Sequence, residues 1–134
     1  MEIHQIPLLR EPIMIVAFSG WNDAAEAASG AVEHLLSGWR DKSDDVLPEL
    51  IAEVESEDFY DFQVNRPVVS IDESEIRNIT WPSTQVFGMA IPSMKRDLVI
   101  VTGVEPSMKW KSFTSELLDL ADDLEVSLIV SLGS

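Results

Sequence analysis

The chain has 134 residues, a formal net charge of −15 and 46% hydrophobic residues, and it contains no cysteine. That length and apolar content fit one domain with a sizeable core. The charge repels a phosphate backbone and an anionic bilayer, so neither nucleic acid nor a membrane surface is an expected partner. Disulfides, thiolate metal sites and cysteine nucleophiles are excluded.

The start of the chain carries Glu2 instead of a basic cluster, and Pro12 directly precedes a short apolar run, which is not a signal-peptide pattern. No stretch reaches the ~18 apolar residues of a spanning helix. The expected compartment is the cytoplasm. The acidity serves solubility or steers a basic partner.

Residues 1–12 read as an irregular lead-in or an edge strand, because Pro7 and Pro12 interrupt pairing. Residues 13–18 are six apolar residues in a row, the pattern of a strand buried on both faces. Gly20 permits a sharp turn, and Asn22 and Asp23 are good helix N-caps. A helix is predicted over 24–37, with Ala24, Ala28, Ala31, Val32, Leu35 and Leu36 on one face and Glu26, Glu33 and Ser37 on the other. Its small residues allow close approach to the sheet or to a second subunit. Gly38 suits a C-cap.

Residues 41–61 are strongly acidic: Asp41, Asp44, Asp45, Glu49, Glu53, Glu55, Glu57, Asp58 and Asp61 stand against Lys42. Within them a short helix opened by Pro48 is expected to run into a strand. Phe59, Tyr60 and Phe62 form an aromatic knot, either a core anchor for a loop or a binding-surface anchor. Residues 68–71 read as a strand, 72–75 as a polar turn, 76–79 as a short strand or 3₁₀ piece, and 85–91 as a strand with Gly88 a candidate bulge. Residues 97–103 repeat the fully apolar character of the first strand and lead through Glu105 and Pro106 into a second helix over 109–124. In that helix Trp110, Phe113, Leu117, Leu120, Ala121 and Leu124 recur at helical spacing. Residues 126–132 are a third buried strand, and Gly133-Ser134 opens a third turn of the same kind. A buried parallel strand normally feeds a helix, so residues 1–134 are expected to be one α/β domain that is the amino-terminal part of a longer one.

If the three apolar strands are parallel, Ser19 to Asp23, Glu105-Pro106 and Gly133-Ser134 lie on one rim, where open α/β sheets bind ligands. Asp23 and Glu105 are then a candidate carboxylate pair for acid–base work, or each simply caps or precedes a helix. Lys109 and Lys111 oppose the dipole at a helix start. Either a neighbouring carboxylate such as Glu105 compensates them, or a bound anion does. The candidate ligand-binding set is Gly20, Trp21, Asn22, Asp23, Glu105, Lys109 and Lys111. The candidate interface residues are Trp21, Phe59, Tyr60 and Trp110. The two histidines, His4 and His34, have no partners at ligand spacing, so neither a metal site nor a serine–histidine catalyst is expected. No Walker loop, dinucleotide fingerprint or nucleophile elbow is present, and no cofactor is expected.

Four motifs carry a resemblance. They are Ala17-Phe18-Ser19-Gly20-Trp21-Asn22-Asp23-Ala24, Asp58-Phe59-Tyr60-Asp61-Phe62 with Arg66-Pro67, Ile79-Thr80-Trp81-Pro82, and Glu105-Pro106-Ser107-Met108-Lys109-Trp110-Lys111-Ser112-Phe113. Together they resemble the proteasome assembly chaperone type-two family, most closely its actinobacterial branch. The family pattern places glycine where this chain has Ala24 or Ala25, which bears on how tightly that turn packs. Its chains are roughly twice as long. The resemblance implies an α/β fold related to the phosphorylase/hydrolase class, with a mixed, largely parallel central sheet and flanking helices. It also implies self-association as a homo-oligomer, with a trimer one candidate form, and a role in assembling proteasome subunits. Fold analogy does not transfer activity.

Two functions are therefore expected. The first is a non-enzymatic protein-interaction module whose acidic surface steers basic partners. The second is an anion- or nucleoside-like-ligand binder or hydrolase/phosphorylase-like enzyme, with Asn22 and Asp23 holding a polar ligand, Glu105 as base and Lys109 or Lys111 neutralising an anion.

Overall fold

The computed structural model describes residues 1–42 and 47–134. Its elements in chain order are β1 (Glu2–Ile3), β2 (Ile13–Ser19), a 3₁₀ turn (Ala24–Glu26), α1 (Ala27–Lys42), β3 (Glu49–Glu53), α2 (Ser56–Phe59), β4 (Val68–Ile71), β5 (Arg77–Thr80), β6 (Thr84–Met89), β7 (Leu98–Val104), α3 (Trp110–Asp123) and β8 (Leu128–Ser131). Six strands form one sheet in the order β1-β3-β6-β7-β2-β8, and β4 and β5 pair separately as a hairpin.

The α/β class is as expected, but the sheet is not largely parallel. β2 runs parallel to β7 and β8, whereas β7–β6, β6–β3 and β3–β1 are antiparallel. Parallel neighbours require a long crossover, usually a helix. The chain supplies helical crossovers around β2, β7 and β8. Between β6 and β7 it has only the short connection 90–97, which turns the strand back on its neighbour.

Alternation along the strands divides the core between the two helices. Met14 and Val16 of β2 and Val99 and Val101 of β7 point to the α3 face and pack with Leu120, Ala121 and Leu124. Ala17, Leu98 and Ile100 point to the other face and pack with Ala28 and Val32 of α1. Burying such a side chain contributes about 1.5–3 kcal/mol, so the β2–β7 centre dominates the fold's stability. α1 meets the sheet through Ala28 and Val32, while Ala24 and Ala31 are exposed.

Several local expectations change. Residues 49–53 form a strand, and no helix opens at Pro48. The part of the acidic segment at 43–46 lies outside the described residues. The ladder irregularity falls on β3, between Leu50 and Ala52, and not at Gly88. Gly88 instead makes room for Ile51: a Cβ there would sit 2.8 Å from Ile51 Cδ1. β8, read as a buried strand, is exposed along its whole length. β2 covers only one of its edges, and the described elements put no layer over its faces.

Asp97, 2% exposed, braces the lead-in. Its carboxylate accepts from the Arg10 guanidinium at 2.6 Å, the Arg10 amide at 2.7 Å and the Ile91 amide at 3.1 Å. Burial alone would raise its pKa, but Arg10 and the two amides outweigh that and hold it below the usual carboxylate range.

Candidate functional site

β2, β7 and β8 are parallel, so their carboxyl ends share one rim. Ser19 and Glu105 meet there, with the Glu105 amide donating to the Ser19 carbonyl at 2.9 Å. Two glycines let the chain turn at these ends. Gly103 has φ 152°, and a Cβ on it would lie 2.2 Å from the Ser83 carbonyl oxygen. Gly20 has φ 149°, and a Cβ on it would lie 2.8 Å from Glu105 Oε2. The glutamate thus rests on the one surface that a bare α-carbon provides.

A groove of about 640 Å³ opens beside this contact, lined by Ser19, Gly20, Trp21, Val64, Asn65, Glu105, Pro106, Ser107 and Trp110. Trp21 is 96% exposed and Trp110 57% exposed. Glu105 Oε2 accepts weakly from the Trp21 amide at 3.4 Å. The Asn65 side-chain oxygen is enclosed and has no hydrogen-bond partner, an arrangement that is uncommon and costly.

The turn between Glu105 and Trp110 is held from behind by the aromatic knot. The Ser107 and Met108 amides donate to the Phe59 carbonyl at 3.0 and 3.2 Å, and the Asp61 amide donates to Ser107 Oγ. Phe113 makes edge contacts with Phe18 and Phe59, each at 5.6 Å between centroids. Tyr60 Oη lies 2.7 Å from Thr84 Oγ1 and donates to the Val104 carbonyl at 2.8 Å. Burial raises the Tyr60 pKa, with Thr84 partly opposing it. Phe59 and Tyr60 are each 2% exposed. They are core anchors and do not form the interface surface assigned to them as one option, because the fold turns both rings inward beneath the α3 start.

The groove brings together Ser19, Gly20, Trp21, Glu105 and Pro106 from the residues expected on the rim, and Trp110 from the candidate interface residues. It does not include Asn22, Asp23, Lys109 or Lys111. Asp23 is occupied as a cap. Its Oδ1 accepts from the Ala28 and Ser29 amides at 2.8 and 3.0 Å, and Oδ2 from the Ser29 hydroxyl at 2.5 Å. The Ser29 hydroxyl and then its amide hold the Asp23 pKa below the ordinary value. A carboxylate held ionised by three donors is a poor general base. The Asn22 carbonyl accepts from the Ser134 amide at 2.9 Å, which places the third turn against the first.

Glu105 caps no helix, because α3 begins five residues later at Trp110. Lys109 precedes that helix with left-handed φ 53°, and its Nζ faces Asp58 Oδ1 at 3.8 Å, not Glu105. Both groups of this pair are more than half exposed, so it contributes little. Val64 and Asn65 were not anticipated. They reach the groove from the 61–67 loop, and no local pattern marks that approach. Among the described residues, ligand-type side chains cluster at Glu2, His4 and Glu53. That group sits on the opposite edge of the sheet, with Glu2 and His4 exposed.

The fold and rim define a mixed α/β protein with an aromatic, acid-containing groove at its strand ends. The profile of the PAC2 family matches residues 17–134, and the chain belongs to that family. It is similar in structure to a PAC2 family protein from Streptomyces avermitilis, with 49% identity and a TM-score of 0.78 over 91% of this chain and 49% of that one. It is also similar to a proteasome-assembly chaperone homologue from Mycobacterium tuberculosis, with 40% identity and a TM-score of 0.78 over 90% of this chain and 48% of that one. A protein of unknown function from Corynebacterium glutamicum shares the fold at 23% identity, with a TM-score of 0.78 over 98% of this chain and 48% of that one. The chain thus spans about half the length of these solved relatives. No curated protein matches it.

Proposed function

We propose that the chain acts as a non-enzymatic protein-interaction module with an assembly-chaperone-like role, and that its partners are proteasome subunits. The observation that carries this reading is PAC2 membership together with 40% identity to a protein described as a proteasome-assembly chaperone homologue. The rim supports it: two exposed tryptophans edge a groove at the strand ends, and tryptophan is over-represented among residues that anchor interfaces. The net charge of −15 suits steering of basic partner patches.

Cytoplasmic location belongs to the same reading; among the described residues no helix is long and apolar enough to cross a membrane. Self-association, a trimer included, is part of the proposal. So is the view that residues 1–134 are the amino-terminal half of a larger domain, whose remainder covers β8 and the β4–β5 hairpin. Leu128 and Ile129 are 50% and 42% exposed, and Val68, Val69, Ile71 and Ile79 about 60% or more. Apolar residues in such numbers are normally covered.

The test is native mass spectrometry of the full-length protein, alone and with proteasome α- and β-subunits at low and high salt. A discrete complex that weakens as salt rises is expected. A protein that ignores these subunits at every salt concentration sinks the reading, and a small molecule co-purifying with it would favour a rim-ligand function instead.

A further inference from the structure

Among the described residues Glu105 is the only ionisable side chain lining the groove, and among them it takes part in no ion pair. The nearby cation in sequence, Lys109, is turned to Asp58. Trp21 and Trp110 stand at the groove with most of their surface in solvent. The unsatisfied features are thus a carboxylate and two indole faces. Each is matched by a cation with several N–H donors, and none by an anion.

We propose that this groove receives an arginine side chain carried on an extended segment of the partner protein. The inference rests on the protein-interaction reading above and names the chemistry of its partner at that site. Guanidinium is the group that fits all the features at once. It is planar and stacks on an indole, and its fork of donors matches a carboxylate in two parallel hydrogen bonds. Lysine offers a point charge without the stacking plane. A groove of about 640 Å³ lies in the range of sites that hold ligands much larger than one side chain, so the residues flanking the arginine enter with it. A second copy of this chain is a poor source of the arginine, because basic side chains are few on it, 9 against 24 acidic ones.

The test titrates the full-length protein with short glycine/alanine peptides that differ only at one central residue: arginine, lysine or citrulline. Binding is read by calorimetry and tryptophan fluorescence. The arginine peptide is expected to bind at least tenfold more tightly than the citrulline peptide and more tightly than the lysine one. Glu105→Gln is expected to abolish the preference over citrulline while leaving the thermal melt unchanged. Trp110→Ala, at an exposed position, is expected to weaken the arginine peptide severalfold, and it serves as the test should Glu105→Gln fold poorly. Equal binding of arginine and citrulline peptides overturns the proposal, as does tighter binding of lysine or a preference that survives both variants. Subunit capture is measured in parallel. Capture by wild type and Glu105→Gln alike removes the groove from the interaction and leaves the assembly reading standing. Absence of capture by wild type removes the assembly reading itself, whatever the peptides do.

Discussion

The two strand–turn–helix junctions, β2 into α1 and β7 into α3, are built alike and finished differently. Both leave a parallel strand through a glycine with φ near 150° and enter the helix through a residue in the left-handed region, Ala25 and Glu26 in one case and Lys109 in the other. At the first junction Asp23 turns back and satisfies the helix start through Ala28 and Ser29. At the second no side chain caps α3, and the acidic residue, Glu105, faces the groove. A carboxylate spent on the backbone stabilises the fold, whereas one left over at a rim is available to another molecule. An acidic side chain following a parallel strand has a structural role at one junction and an open valence at the other.

The sharpest break of the comparison is at Gly103, because the second junction depends on its backbone. Gly103→Ala combines a strained φ with a Cβ placed 2.2 Å from the Ser83 carbonyl oxygen and 2.6 Å from Thr84 Cα, backbone atoms at the start of the neighbouring strand β6. Neither can move without opening the β6–β7 ladder. A loss of about 4 kcal/mol is expected, read as a large fall in the denaturant midpoint and accompanied by loss of the groove. A variant that unfolds at the wild-type midpoint would show that the junction tolerates another backbone path.

A smaller effect separates the two carboxylates. Asp23 is held below its ordinary pKa in the folded chain, so its contribution is fully present above the unfolded value of about 3.9 and is lost as pH falls through the folded value. Asp23→Asn removes that titration. The stability gap between wild type and Asp23→Asn is therefore expected to be widest at neutral pH and to shrink as pH falls below about 4. Urea unfolding from pH 7 to pH 2 measures it. A gap that stays constant across that range would mean that the charge of Asp23 does not stabilise α1. Asp97 shares the same sign of dependence, which is why the difference between the two proteins, and not the wild-type curve alone, is the informative quantity.

What could be read from the residues divides along physical lines. Apolar runs identify β2 and β7, helical periodicity identifies α1 and α3, and the turn residues at strand ends point to Gly20, Trp21 and Glu105 as rim candidates, whereas Trp110 reads as a helix-face and interface residue. Those signals are local. The strand directions depended on the connections: the short 90–97 link turns β7 back antiparallel to β6, whereas the antiparallel β1–β3 and β3–β6 pairs join strands far apart in the chain, and no local pattern encodes their direction. Val64 and Asn65 enter the groove because the neighbouring Phe59–Asp61 stretch is tied to the Ser107 turn across more than forty residues, a contact no periodicity encodes. β8 opens with an apolar run like that of β7, yet Leu98 is 6% exposed and Leu128 50%. Composition states what a strand can bury, and only the neighbouring layer decides whether it does.

The smallest expected effect concerns Ala25, which with Ala24 is one of the two positions where the resemblance implies glycine. Ala25 has φ 54° and ψ 28° inside the 3₁₀ turn that separates Asp23 from α1, a conformation that costs an L-residue roughly 1–2 kcal/mol and glycine almost nothing. Glycine also gives up more backbone freedom on folding, which offsets roughly 0.5–1 kcal/mol of that gain. Ala25→Gly is therefore expected to stabilise the protein, but only by about 0.5 kcal/mol, because the two terms nearly cancel. Ala25 is exposed and lines no groove, so peptide binding should be unchanged. Denaturant titration at pH 7 resolves a difference of this size if the slopes agree. A loss of stability would mean that the alanine methyl makes contacts worth more than its backbone strain. A gain would show that the β2–α1 junction carries strain as the β7–α3 junction does at Lys109, and that Asp23 holds it in place with three hydrogen bonds that Glu105 does not make.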